Sequence, residues 1–340
     1  MKIIVRFFLI IFLLLSSAVA WQIFGPTISE PSEKYFYIST GSSIADLKQT
    51  LIEKKILSNT ILFDLVSERL KFKKIKPGRY NISNSSSLIK LIRILRNGNQ
   101  TPVKLVISKL RTNADLAKLI NKHFETDSLS MIHFLDNKNG ALHNYKLNSE
   151  SVLTAVFPDT YHLNWNSTPK IIFDKLLKHS LLFWNEERKN KAAVLKLSPA
   201  QVYILASIID EESNYSQEKS TIASVYLNRI KKRMPLQADP TIKFALQDFG
   251  LKRIYKNHLA VKSPYNTYVN LGLPPGPICT AKPQTIDAVL NAPKTEYLYF
   301  VANANFSGTH VFTSTYKEHQ KKAKQYQQAL NKLEKQKTKS

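Results

Sequence analysis

Three acids in a row, Asp210, Glu211 and Glu212, close the apolar run Ala206–Ile209. A carboxyl held where water is scarce favours its neutral form and can serve as a general acid near neutral pH. In solvent it is only a surface charge. Helix phase separates the three. Ser198, Pro199 and Gln201 predict a capping box with proline at the first helical position. Val202, Leu205, Ala206 and Ile209 then fall at i, i+3, i+4 and i+7, a buried stripe that Glu212 continues three places on. Asp210 lies roughly 200° around the helix from Glu212 and points away, and Glu211 sits on the flank. The negative end of the helix dipole also favours the protonated form of an acid in the last turn. Glu212 is thus the candidate general acid, weighed against a helix that has already emerged into solvent.

A second constellation follows. "STIASVYLNRIKK" reads as a helix ending before Pro235, with Ile222, Ala223, Tyr226, Leu227 and Ile230 as its core and Asn228 and Arg229 between them. Gln237, Asp239 and Thr241 surround Pro240 in an expected loop. In "SPYNTYVNLGLPPGPI", Tyr265, Asn266, Thr267 and Tyr268 offer flat rings, hydroxyls and an amide, and Gly272 with the prolines enforces extended backbone. Such groups suit a carbohydrate groove; an ordinary rigid loop is the alternative. The last segment, "EYLYFVANANFSGTHVFTS", predicts a hairpin with Gly308 in its turn. His310 opens the return strand, where a structural role is expected.

These residues need a scaffold, and 340 residues can supply two or three domains. After the linker "GPTISEPSEK" an α/β rhythm begins. "YFYIST", "GRYNIS" and "PVKLVIS" read as strands; "SSIADLKQTLIEKK", "SSSLIKLIRILRNG" and "TNADLAKLINKHF" read as helices, the first capped by Ser42 or Ser43 and the second closed by Gly98. Ala-Asp-Leu recurs at 45–47 and 114–116, which a shared capping habit explains as well as a repeat does. Between 125 and 195, "FPDTYHLNW" is turn-like and "TPKIIFDKLLKHSLLFWNEERK" reads as one helix. The basic tail predicts a helix that gives way to disorder.

The net charge of +24, from 49 Lys and Arg against 25 acids, points to an anionic partner: nucleic acid, a lipid surface or an anionic polymer. Solubility is the plainer explanation. The charge is spread along the chain, which weakens the nucleic-acid reading. The single cysteine excludes an internal disulfide framework, and eight scattered histidines without an H-E-x-x-H make a metal or other cofactor unexpected. At the amino terminus, Lys2 and Arg6 precede an apolar run that ends near Ala18-Val19-Ala20. A leader cleaved after Ala20 fits, and so does an anchor over Phe7–Phe24, which is favoured because it spans roughly 27 Å of a ~30 Å hydrocarbon core. Either way the rest of the chain leaves the cytoplasm, and DNA binding becomes improbable.

"ASIIDEESNYSQEKSTIASVYLNR", "MPLQADPT", "YNTYVNLGLPPGPI", "NAPKTEYLYFV" and "GTHVF" stand in the order seen in the MltG/YceG-like endolytic murein transglycosylases, and "FPDTY" is similar to theirs too. The resemblance covers nearly the whole chain, and it implies an α+β architecture. In that architecture residues 1–25 form the membrane anchor and 26–36 a linker. Residues 37–100 are a small LysM-like domain, 101–195 a connecting α/β region, and 196–335 the catalytic domain with a lysozyme-like catalytic helix. It implies an enzyme of the cell inner membrane, single-pass and facing the periplasm, that cuts peptidoglycan strands, with peptidoglycan synthases and the division machinery as further partners.

The resemblance also bears on residues. Members often carry two glutamates separated by one residue where this chain has Asp210 and Glu212. The departure at 210 leaves Glu212 as the better match, and Glu212-Ser213 is similar to the Glu-Ser signature of lysozyme-like lytic transglycosylases. Ser108-Lys109-Leu110 departs from a Pro-Glu-Gly turn common in the family, a difference confined to local geometry upstream of the catalytic motifs. The implied reaction uses Glu212 alone, with Asn228, Gln237, Asp239, Tyr265, Asn266 and Tyr268 holding the sugars; substitution of Asp210 is expected to be far milder for activity. The competing readings are a non-catalytic anchored wall-binding protein, a lysozyme-type hydrolase that leaves reducing ends and, more weakly, a periplasmic polyanion binder.

Overall fold

The computed structural model describes residues 2–29, 33–82, 87–136 and 141–337. The linker's residues 30–32, the start of the "SSSLIK" segment and the last three residues of the tail lie outside the described residues. The chain divides into two compact units. The first holds residues 1–105, 120–127 and 162–168; the second holds 106–119, 128–161 and 169–340.

The first unit opens with α1 (Lys2–Phe24), which from Ile3 has a mean hydropathy of 2.6 and no buried residues, and is long and apolar enough to cross a membrane. Next come β1 (Phe36–Ile38), α2 (Ile44–Glu53), α3 (Ile61–Arg69), β2 (Gly78–Tyr80) and α4 (Leu88–Asn97). β1 and β2 pair antiparallel, with Phe36 opposite Tyr80 and Ile38 opposite Gly78. Ser43 and Asp46 close a capping box at the head of α2. Gly98, at φ 70°, ends α4 in the left-handed region that glycine enters without a Cβ clash. Leu88, Leu91, Ile92 and Leu95 recur at helical spacing and bury against Phe36, Leu47, Leu51, Phe63 and Tyr80. α3 was not anticipated, because its two acids and an arginine interrupt a short apolar pattern.

Three elements have their residues divided between the units: β3 (Val103–Ile107), α5 (Asn113–His123) and β4 (Asp159–Leu163). β4 lies where a turn was expected. Short helices α6 (Ser128–Asp136) and α7 (Ala141–Asn144) precede β4. The single helix expected after it is two, α8 (Pro169–Phe183) and α9 (Glu186–Val194), because the Asn185 side chain accepts from the Arg188 N–H and starts a new helix.

The second unit is built around α10 (Pro199–Glu212), which has the expected Ser198–Gln201 capping box and proline in its first turn. Every residue from Val202 to Asp210 is buried. The one-sided stripe is therefore a correction: α10 is enclosed on all faces, and its phase alone does not say which acid faces water. α11 (Lys219–Lys231), α12 (Asp239–Leu246) and α13 (Pro283–Leu290) pack around it. α12 is a second correction, since Pro240 stands in the first turn of a helix, where its missing N–H costs nothing. The strands β5 (Tyr299–Ala302) and β6 (His310–Thr313) form the expected hairpin, with Gly308 at φ 77° between them, and α14 (Tyr316–Lys337) packs on both.

Candidate active site

At the end of α10 the three carboxyls part company. Asp210 is 4% exposed and is held by charge and hydrogen bonds: Lys219 Nζ at 2.5 Å, Thr285 Oγ1 at 2.6 Å and the Lys282 N–H at 2.8 Å. The three donors come from α11, α13 and the residue before α13, so Asp210 ties the second unit's helices together. Glu211 sits on the flank and pairs with Lys109 and Arg111, each at 3.1 Å.

Glu212 lines a pocket of about 250 Å³ with Tyr226, Arg229, Leu236, Gln237, Asp239, Tyr268, Phe300 and His319. Its side chain receives a hydrogen bond from the Tyr226 hydroxyl at 2.6 Å. Although half-buried by area, the carboxyl is ringed by protein, and this desolvation raises its pKa to about 7. The Asp239 charge pushes the same way. The Tyr226 hydrogen bond and the charges of Lys243 and Arg229 pull it partly back.

The other walls are placed by identifiable local forces. Tyr226 and Arg229 stand at i and i+3 on α11 and reach the pocket together. Arg229 is 7% exposed and spends its donors on backbone: Nε to Leu298 O and Nη1 to Leu236 O, both at 2.7 Å. It thereby holds the residue before β5 and the 235–237 loop beside the pocket. Gln237 has φ 52°, an uncommon conformation for a residue with a Cβ, held by its N–H bonding Thr267 O at 3.0 Å. Tyr268 donates to Asp239 Oδ1 at 2.5 Å, and burial raises the tyrosine's pKa.

Of the residues expected from the sequence, Glu212, Gln237, Asp239 and Tyr268 meet in this pocket; Asn228, Tyr265 and Asn266 do not line it. The Asn228 amide donates to Thr295 O and Tyr297 O on the opposite face of α11. Asn266 is fully buried, donates to Leu259 O and Val261 O, and accepts from the Tyr268 N–H at 2.9 Å. Tyr265 packs its ring on Phe244, with centroids 4.5 Å apart. His310 has the structural place expected, its Nδ1 2.6 Å from Glu218, which also accepts from Ser213 next to Glu212.

Five pocket residues were not singled out as site residues, the buried Leu236 among them. Tyr226 reads as core, and it is 1% exposed, yet its hydroxyl is aimed at Glu212. Arg229 carried a usable signal in its i+3 spacing from Tyr226. Phe300 and His319 arrive from β5 and α14, with no local sign of their destination. His319 stacks on Tyr299 at 5.3 Å. Among the described residues no cluster of His, Cys, Asp and Glu has metal-binding geometry.

Comparison with known proteins places the chain in a family. The model of the YceG-like family matches residues 36–325. A Bacillus subtilis protein named endolytic murein transglycosylase is 29% identical over 334 residues, with 91% of each chain covered. Proteins of the same name from Streptococcus pneumoniae strains R6 and D39 are each 24% identical over 81% of this chain, which spans only 56% of their length. A crystal structure of a yceG-like protein from Listeria monocytogenes superposes with a TM-score of 0.57 at 28% identity, covering 85% of this chain and 99% of that one. The chain belongs to the YceG-like family.

Proposed function

We propose, from that membership, that this protein is an endolytic murein transglycosylase, a lyase that cuts the MurNAc–GlcNAc bond of peptidoglycan strands and leaves 1,6-anhydroMurNAc ends. The observation that carries the reading is the state of Glu212: an acid with a pKa of about 7 on the wall of a pocket otherwise lined by tyrosine, amide and arginine groups. A large fraction of such a carboxyl is protonated near neutral pH, as a general acid requires. No cofactor enters the scheme.

In the first step Glu212 gives its proton to the GlcNAc O4 as the MurNAc C1–O4 bond breaks. The MurNAc 6-hydroxyl then attacks its own C1, forming the C1–O6 bond, and its proton passes to the Glu212 carboxylate. The enzyme returns to its starting state and no water is consumed. Because the nucleophile belongs to the same sugar, positioning supplies much of the rate. Gln237, Asp239 and Tyr268 line the pocket as sugar-binding groups, while Asn228, Tyr265 and Asn266 support the loops that carry them. The Tyr268 hydroxyl, the exposed Gln237 amide and the faces of Tyr268 and Phe300 are the groups a sugar ring uses.

The same reading takes α1 as a single-pass anchor in the inner membrane, with Lys2 and Arg6 on the cytoplasmic side and the rest in the periplasm. Residues 37–100 form a LysM-like domain, 101–195 connect it, and 196–335 carry the lysozyme-like helix. Synthases and division proteins would then be neighbours on the same strands.

Mass spectrometry of peptidoglycan digested by the purified protein tests the chemistry. Anhydro-ended muropeptides are expected, and Glu212→Gln should abolish them. Reducing ends would make the protein a hydrolase, and binding without any cleavage would make it a wall-binding protein.

A further inference from the structure

The first unit carries an apolar face that its own core does not use. Ile61 is 76% exposed and Leu65 54%, one helical turn apart on the outer side of α3. The acid between them, Asp64, is taken up by Lys48 at 3.0 Å. Exposed Lys55 precedes α3 and exposed Lys71, Lys73 and Lys74 follow it.

What lies beside this face is the exit of α1. A cavity of about 280 Å³ is lined by Gln22, Thr27 and Ile28 on one side and by Leu57, Asn59 and Leu62 on the other. The start of α3 is therefore level with the last turn of α1. This junction is firm. The Gly25 N–H donates to Trp21 O at 2.7 Å and Thr27 Oγ1 to Gln22 O at 2.7 Å. Ile23 and Ile28 pack into the same core as Leu62. Gly25 also permits an approach that a Cβ would block, since it would lie 2.4 Å from Trp21 O. Exposed Trp21 and Phe24 mark this turn as the interface end of the apolar helix.

We propose that α3 lies on the outer surface of the membrane that α1 spans, with Ile61 and Leu65 inserted among anionic lipid headgroups and the flanking lysines paired to them. The inference rests on the anchor reading of α1. Over residues 26–105, 14 Lys and Arg stand against six acids, which favours an anionic surface over a cationic or neutral one. Contact at this depth is the ordinary behaviour of an apolar helix face with basic neighbours. Its consequence is that the first unit holds a fixed attitude to the bilayer instead of swinging on a tether.

Site-specific fluorescence separates this proposal from the anchor reading. The full chain is placed in nanodiscs containing phosphatidylglycerol, and an environment-sensitive dye is attached to Ile61→Cys, Leu65→Cys or, as an internal reference, Leu13→Cys within α1. The native Cys279 is fully buried and its thiol is pushed up by that burial, so it does not compete for the dye. Expected is quenching by about half at 61 and 65 from lipids carrying a nitroxide near the headgroup, and quenching at 13 from lipids carrying the nitroxide deep in the acyl chain. Quenching at 13 but water-like emission at 61 and 65 overturns the proposal and leaves the anchor standing. No quenching at 13 overturns both. Blue-shifted but unquenched dye at 61 and 65 means that protein, not lipid, covers the face, and also overturns it.

Discussion

Asp210 and Glu212 lie two residues apart on one helix and meet opposite surroundings. On the Asp210 side, a carboxylate that is 4% exposed is matched by an ammonium, a hydroxyl and a backbone N–H. On the Glu212 side, a less buried carboxyl receives one hydrogen bond from a neutral phenol. The more deeply buried acid is thus the better compensated, and the less buried one has its pKa raised to about 7. Burial alone does not tune an acid. What matters is burial without a matching charge: at Glu212 the charges of Lys243 and Arg229 only partly offset desolvation.

The sharpest way to break this comparison is Glu212→Gln. Removal of the acid should cost about 10²–10⁴-fold in turnover, read as release of anhydro-ended products. The fold should gain. An acid with a folded pKa near 7 and an unfolded value near 4.5 keeps its proton in the folded state across that interval, so stability falls as pH rises from about 4.5 to 7 and stays low above it. Glutamine has no such penalty. Chemical denaturation should find Glu212→Gln more stable than the parent by ~1–3 kcal/mol at pH 8 and little different at pH 4. Equal stability at both pH values would remove the uncompensated-acid account.

Asp210→Asn is the mirror experiment, mild for chemistry and severe for the fold. It leaves Lys219 buried without its counter-charge, a change that typically costs about 3–5 kcal/mol. Thermal unfolding should show the loss, while protein that remains folded should still make the same anhydro product. The double substitution Asp210→Asn with Lys219→Met should recover part of the stability. If Asp210→Asn abolished turnover in fully folded protein, the two carboxyls would share the chemistry and the contrast would collapse.

Much of this contrast was readable in the chain and part was not. The capping box at Ser198 fixes the phase of α10, and phase alone turns Asp210 away from Glu212. It does not reveal that Asp210 points into protein, because that depends on Lys219 nine residues on and Thr285 from α13. Local propensity also misassigned the residues around Pro240, where an Asp-Pro pair that usually marks a turn starts a helix. The pocket floor was legible because it is local: Glu212, Gln237, Asp239 and Tyr268 lie in motifs with unusual composition. Phe300 and His319 were not, since a strand aromatic and a histidine in a basic helix have many fates. Asn228 and Asn266 show the opposite error, in which polar residues expected to meet sugar are consumed by backbone carbonyls.

The hydrogen bond to Glu212 sharpens the comparison further. Tyr226 stabilises the carboxylate, so Tyr226→Phe should raise the Glu212 pKa above its present value of about 7. The alkaline limb of the pH–rate profile, where the acid loses its proton, should move to higher pH. Asp239→Asn should move it the other way, because the Asp239 charge now opposes ionisation. Each change removes a single interaction, worth about 1–2 kcal/mol, so turnover at the optimum should fall roughly tenfold or less. Shifts of both limbs in one direction would mean that the observed pKa belongs to another group.

Glu211→Gln should have the smallest effect and completes the set. Its carboxylate is partly exposed, at 19% of the side chain, and its two partners, Lys109 and Arg111, are each about one-third exposed. Water can take over from either ion pair, and Arg111 keeps its place over the Phe249 ring at 4.7 Å. A loss of about 0–1 kcal/mol is expected from denaturation, with no change in product or in the pH–rate profile. Its position between the other two acids makes it a stringent control. If mere crowding of three negative charges raised the Glu212 pKa, neutralising its immediate neighbour would lower that pKa, and the alkaline limb would move down. An unmoved limb ties the raised pKa to desolvation and to Asp239 across the pocket, neither of which involves Glu211.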